Sequence, residues 1–91
     1  MRISIFGSGY VGLVSAVGFA ELGNNVVCVD VDEKRIAALK AGHCPIYEPG
    51  LEPLLEKNIE DGRILFSTDA SVAVGHGEVI FIAVGTPPEE D

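Results

Sequence analysis

The residues best suited to chemistry stand at positions 7 to 12, where Gly7-Ser8-Gly9-Tyr10-Val11-Gly12 follows the apolar run Met1 to Phe6 and opens a second apolar stretch. Glycines at these spacings predict a chain that turns sharply off a strand at Gly7, lets an anion approach the backbone at Gly9, and packs helix closely against strand at Gly12. The chemistry such a loop supports is phosphate binding without a cationic side chain. Unpaired N–H groups and the positive end of the helix dipole would face a dinucleotide diphosphate. Glycine clusters also make ordinary turns, so the neighbouring elements decide between the two readings.

An acid completes the pattern. After a helix over about 10 to 22 and a turn at Gly23-Asn24-Asn25, a second strand runs from Asn25 to Asp30. Asp30 follows Gly12 at close to the roughly twenty residues expected of a carboxylate that grips an adenosine ribose. Asp30 could instead cap the next helix, but Asp32 fills that role at least as well; Asp30 is therefore assigned to the ribose and Asp32 to the cap. A carboxylate that accepts from ribose hydroxyls repels a 2′-phosphate, which favours NAD over NADP as cofactor. Lys34 and Arg35 bear on the same choice, because an arginine near this acid accommodates the extra phosphate. Lys34, and less readily Arg35, could instead belong to a solvated helix face, or the Arg35 guanidinium could cover the adenine or reach the ribose edge.

These residues need a scaffold that brings strand ends together. The first helix is apolar nearly all round and must be covered on more than one side. A second, over about 32 to 41, is amphipathic, with Ile36 and Leu39 inward and Gly42 ending it. A loop punctuated by proline and glycine leads to a third helix over 51 to 60, whose inward face reads as Leu51, Leu54, Leu55 and Ile59. A strand over 63 to 67, a brief helix through Val74 capped by Thr68 or Asp69, and a strand over 78 to 84 complete the chain. The last strand is an unbroken apolar run, which suits a parallel strand covered on both faces. Strands alternating with helices predict an α/β fold, a Rossmann-type doubly wound parallel sheet of order 3-2-1-4. Ligands of such sheets bind beyond the C-terminal strand ends where the order reverses. Gly85-Thr86-Pro87 should face the glycine loop there, so Thr86 is a further candidate for cofactor contact.

Six basic and fourteen acidic side chains give a formal charge of −8, which argues against nucleic-acid binding. The chain is 47% hydrophobic and 22% charged, with a mean hydropathy of +0.33, yet no stretch reaches the roughly 18 apolar residues a membrane span needs. A strand beginning at Met1 leaves no room for a leader, and Cys28 and Cys44 have neither metal nor redox spacing. Together these predict a cytoplasmic location, reduced thiols, no metal site and no membrane association. His43 and His76 each stand beside a glycine and read as turn residues. The chain ends shortly after a buried-type strand, so a truncated domain with bare apolar edges is expected, and from those edges a homo-oligomer.

Several segments jointly carry a family resemblance: Ile5-Phe-Gly-Ser-Gly-Tyr-Val-Gly-Leu13, Val29-Asp-Val-Asp-Glu-Lys-Arg35, Pro45-Ile-Tyr-Glu-Pro-Gly-Leu51 and Ala83-Val-Gly-Thr-Pro-Pro88. They resemble the N-terminus of the UDP-glucose/GDP-mannose dehydrogenase family, most nearly its UDP-glucose 6-dehydrogenase branch, over the whole of residues 1–91. The resemblance implies a parent that oxidises the C6 alcohol of a nucleotide sugar to a carboxylate, UDP-glucose to UDP-glucuronate, with hydride transfer to two NAD in turn. It also implies that Tyr10 and Val11 contact the diphosphate, that Arg35 lies near the adenosine, and that Thr86 contacts the cofactor. The family's nucleophilic cysteine, central helix and nucleotide-sugar domain have no counterpart in these residues, so no catalytic residue is assigned. Alternatives are the front end of a GDP-mannose 6-dehydrogenase and a free-standing dinucleotide-binding or interaction module.

Overall fold

A computed structural model describes residues 1–44 and 48–83. The elements run β1 (Arg2–Phe6), α1 (Tyr10–Glu21), β2 (Asn25–Val29), α2 (Glu33–Lys40), α3 (Leu51–Glu60), β3 (Ile64–Ser67), α4 (Ala70–His76) and β4 (Val79–Ile82). All three strand pairings are parallel and the order is β3-β2-β1-β4, as the alternation of elements predicted.

The strand pleat sorts the core into two layers. Ile3, Ile5, Val26, Cys28, Ile64 and Phe66 form one face, packed with Leu13, Ala16, Val17, Ile36, Leu39, Leu51 and Leu55 from α1, α2 and α3. Val27 and Val29 point the other way and meet Ala73 of α4. This two-sided cover explains why β1 and β2 read as nearly continuous apolar runs. One polar residue interrupts β1: Ser4 is fully buried, and its hydroxyl donates to the Ala73 carbonyl at 2.6 Å, pinning α4 to the sheet.

Helix ends follow local chemistry. Asp32 accepts from the Arg35 N–H and caps α2 as expected, and Asp69 caps α4 by accepting from the Ser71 N–H. α4 continues to His76, past the Val74 stop read from the sequence, because the Arg2 side chain donates to the His76 carbonyl at 3.0 Å and satisfies that terminus. The inward face of α3 also differs: Leu54 is exposed and Asn58 is fully buried. The Asn58 amide donates to Glu21 Oε1 at 3.0 Å and to the Leu54 carbonyl at 2.8 Å, which ties α3 to the end of α1. α1 buries Gly12, Leu13, Ala16, Val17 and Ala20 and leaves Val11 exposed, as is Leu22 just past its end. β4 is an edge strand rather than one covered on both faces; Ile80, Phe81 and Ile82 are exposed, although the Phe81 ring still stacks on Phe19 at 5.2 Å.

Candidate functional site

β1 delivers the chain to Gly7 at the centre of the sheet, where the peptide N–H donates to the Val29 carbonyl at 2.7 Å. Gly7 turns with φ of +110°, a conformation that side chains with a Cβ rarely adopt. A Cβ added at Gly12 would run into the Gly7 carbonyl oxygen, with the Gly7 carbonyl carbon at 2.9 Å and Ala83 Cβ at 3.4 Å. Helix and strand thus touch through backbone at this point. Gly9 is the opposite case, since nothing lies within 4 Å of where its Cβ would stand.

That open space lies directly before α1. Gly9 is the N-cap residue, no side chain caps the helix, and its first turn holds no acid. Each of the other helices has at least one of these: capping aspartates on α2 and α4, and Glu52 in the first turn of α3. The positive end of α1 is therefore left for an outside anion. Val11 is exposed beside it, as is Tyr10, whose hydroxyl donates to Glu48 Oε1 at 3.1 Å. That hydrogen bond and the Glu48 charge hold the Tyr10 phenol above its ordinary pKa.

Asp30 stands just past β2, beside the glycine loop. Its Oδ2 accepts from the Ser8 N–H and the Ser8 hydroxyl, both at 2.7 Å, and its Oδ1 from the Asp32 N–H at 3.0 Å. The Arg35 guanidinium lies 3.9 Å from Oδ2, and the Asp30 side chain is 14% exposed. Burial pushes the carboxyl pKa up, but the donors from Asp32 and Ser8, with the Arg35 charge, outweigh it and leave the group below its ordinary range. The acid is thus ionised at neutral pH. Beneath the loop, Cys28 is buried with its thiol pushed up to about 12 by burial and by the Asp30 charge, which suits packing and excludes a thiolate nucleophile.

Beside Asp30 opens a pocket of about 120 Å³ lined by Phe6, Gly7, Val29, Val31, Thr68 and Ala70 as well as the acid. It joins the ends of β1, β2 and β3, where a flat apolar ring would lie next to a sugar held by the carboxylate. The structure gathers Gly7, Gly9, Tyr10, Val11, Gly12, Asp30 and Arg35 at this one end of the sheet; Thr86 lies outside the described residues, as does Tyr47. Sequence reading passed over Ser8, took Thr68 only as a candidate helix cap, and left open the role of the Tyr47 to Leu51 loop that holds Glu48. Ser8 fills an unconstrained position of the glycine pattern, and the other two come near the site only through folding. Among the described residues no cluster of His, Cys, Asp and Glu could hold a metal ion.

A dinucleotide fits this arrangement part by part. The arrangement offers an uncapped helix end, an ionised acid and an apolar pocket, the kinds of group that a diphosphate, a ribose and a base would each call for. Known proteins give the family and the cofactor of this domain. The sequence profile of the UDP-glucose/GDP-mannose dehydrogenase family, NAD binding domain, matches residues 1–91. A UDP-glucose 6-dehydrogenase of Rhizobium meliloti is 55% identical over 87 residues, which is 96% of this chain and 20% of that protein. Among solved structures, a GDP-mannose dehydrogenase from Pseudomonas aeruginosa superposes with a TM-score of 0.94 at 47% identity, over 99% of this chain and 21% of the other. A UDP-glucose dehydrogenase from Pyrobaculum islandicum gives 0.90 at 49% identity, over 98% and 21%. The chain thus spans about a fifth of the length of these relatives.

Proposed function

The chain belongs to the UDP-glucose/GDP-mannose dehydrogenase family, through that family's NAD-binding domain, and from this premise we propose that it is the cofactor-holding N-terminal portion of a UDP-glucose 6-dehydrogenase. The observation that carries the reading is the join between an uncapped helix terminus and a fixed, ionised acid at one end of a parallel sheet. Bound NAD supplies the hydride acceptor for oxidation of the sugar's C6 alcohol. The residues of this chain bind and orient it. Backbone N–H groups from Gly9 to Gly12 hold the diphosphate, with Tyr10 and Val11 beside it. Asp30 accepts from the adenosine ribose, Arg35 flanks the adenosine, and Thr86 contacts the cofactor across the sheet.

The nucleotide sugar, the nucleophile and the groups that assist it belong to residues beyond these 91. Cys28 does not substitute for the nucleophile, being buried with a thiol held protonated. A cytoplasmic, homo-oligomeric protein that binds no nucleic acid is proposed with this reading. Among the described residues no helix is long and apolar enough to cross a membrane. Two other readings have a specific observation each. The match to a GDP-mannose dehydrogenase at a TM-score of 0.94 favours that sugar class as the alternative substrate. The exposed Ile80, Phe81 and Ile82 of β4 favour a non-catalytic interaction module.

The test is calorimetric titration of the chain with NAD and NADP, repeated with Asp30→Ala. NAD should bind more tightly than NADP, and the variant should lose about tenfold or more in NAD affinity, the scale of a charge-assisted hydrogen bond. Equal affinity for the two dinucleotides, or an unaffected variant, would overturn the ribose assignment.

A further inference from the structure

We propose that Ser8 is a positioning residue that sets cofactor specificity: its buried hydroxyl, together with its own N–H, clamps Asp30 so that the carboxylate meets the ribose as a fixed acceptor and cannot swing aside for a 2′-phosphate. The proposal rests on the reading above that Asp30 faces the adenosine ribose.

Ser8 is fully buried, although it occupies a position of the glycine pattern with no prescribed side chain. Both of its donors point at one atom, Asp30 Oδ2, at 2.7 Å each. Oδ1 is held from the opposite side by the Asp32 N–H at 3.0 Å. A carboxylate has about four acceptor positions; three are taken by the protein, and the side chain still borders the pocket that opens beside it. The acid therefore sits at that rim with its orientation already determined, and the ribose need not order it on binding.

The clamp matters more for discrimination than for affinity, because Arg35 stands 3.9 Å from the same oxygen. A guanidinium beside the ribose is the group that would welcome a 2′-phosphate. As long as Oδ2 is fixed between Arg35 and the loop, its charge offsets that attraction. Once the Ser8 hydroxyl is gone, one of the three holds on the carboxylate is lost, the acid gains freedom to rotate, and Arg35 becomes available. The same hydroxyl is among the groups that keep Asp30 below its ordinary pKa, consistent with a donor that favours the ionised acid.

The experiment compares the 91-residue chain with Ser8→Ala and with Ser8→Cys, which keeps the shape and a weak donor. NAD and NADP dissociation constants are measured by calorimetry, and the Asp30 carboxyl is titrated by carbon NMR. Ser8→Ala should weaken NAD about three- to tenfold and NADP distinctly less, narrowing the preference, while the Asp30 carboxyl titrates at higher pH than in the parent; Ser8→Cys should fall between. If Ser8→Ala fails to give a folded amide spectrum, Ser8→Cys decides by the same comparison. Loss of the two affinities by one common factor, as a purely structural hydroxyl would give, or an unmoved Asp30 titration, overturns the proposal. A parent chain that binds neither dinucleotide overturns the reading of the site and this inference with it. A parent that binds NAD through Asp30 while the variants keep its preference overturns the Ser8 inference alone.

Discussion

Gly9 and Gly12, three positions apart in one motif, illustrate how different the demands on neighbouring residues are. A methyl group at Gly12 would meet the Gly7 backbone, which cannot give way as a side chain can, so Gly12→Ala should cost about 3 kcal/mol in denaturant unfolding, at the upper end for overpacking. Gly9 has ordinary backbone angles, φ −70°, and open space around it. Gly9→Ala should therefore unfold within about 0.5 kcal/mol of the parent yet lose most of its NAD affinity, because the methyl occupies the ground the diphosphate needs. A Gly9→Ala chain that binds NAD as well as the parent would contradict that placement. The turn at Gly7, the close approach at Gly12 and the Asp32 cap were legible in the sequence, because spacing alone implies them. The Ser8 clamp was not, since it depends on a tertiary approach of the loop to the end of β2 that no local pattern encodes.

At the scale of elements, helix caps and strand order could be read locally, but cover could not. Val79 to Ile82 has the composition of a strand buried on both faces, and that composition reports what the strand is suited to rather than what lies beside it. Among the described residues nothing pairs with its outer edge; Ile82 is 75% exposed and β4 itself holds no lysine or proline to discourage pairing. Asn58 in α3 went unnoticed for a related reason. An amide on an apolar helix face reads as outward until the partner, here the end of α1 with Glu21, is known. The open edge makes a prediction: the chain should associate with rising concentration in sedimentation velocity, and Ile82→Lys should suppress that association. Association unchanged by the lysine would place the contact elsewhere.

For the whole molecule, the division is between holding a cofactor and using it. The parallel sheet aims three strand ends and one helix terminus at a single corner, and the proposed role of the residues there is to bind and orient. Among the described residues, the Cys28 thiol beneath that corner is held protonated by burial. The chain should accordingly bind NAD and form no NADH when UDP-glucose or GDP-mannose is added, as followed by absorbance; measurable turnover would show that the residues present suffice for chemistry. The acidic surface, with a formal charge of −8, does not oppose dinucleotide binding, because the local helix dipole and backbone donors set the field at the site. The measurement that tests this most directly is an amide NMR titration of the chain with NAD. Saturable shifts concentrated at the N–H groups of Gly9, Tyr10, Val11 and Gly12, with a second group at Asp30 and Val31, are the predicted result. Saturable shifts that leave those amides unmoved and gather elsewhere, such as the cleft between Lys40 and Glu56, would contradict it.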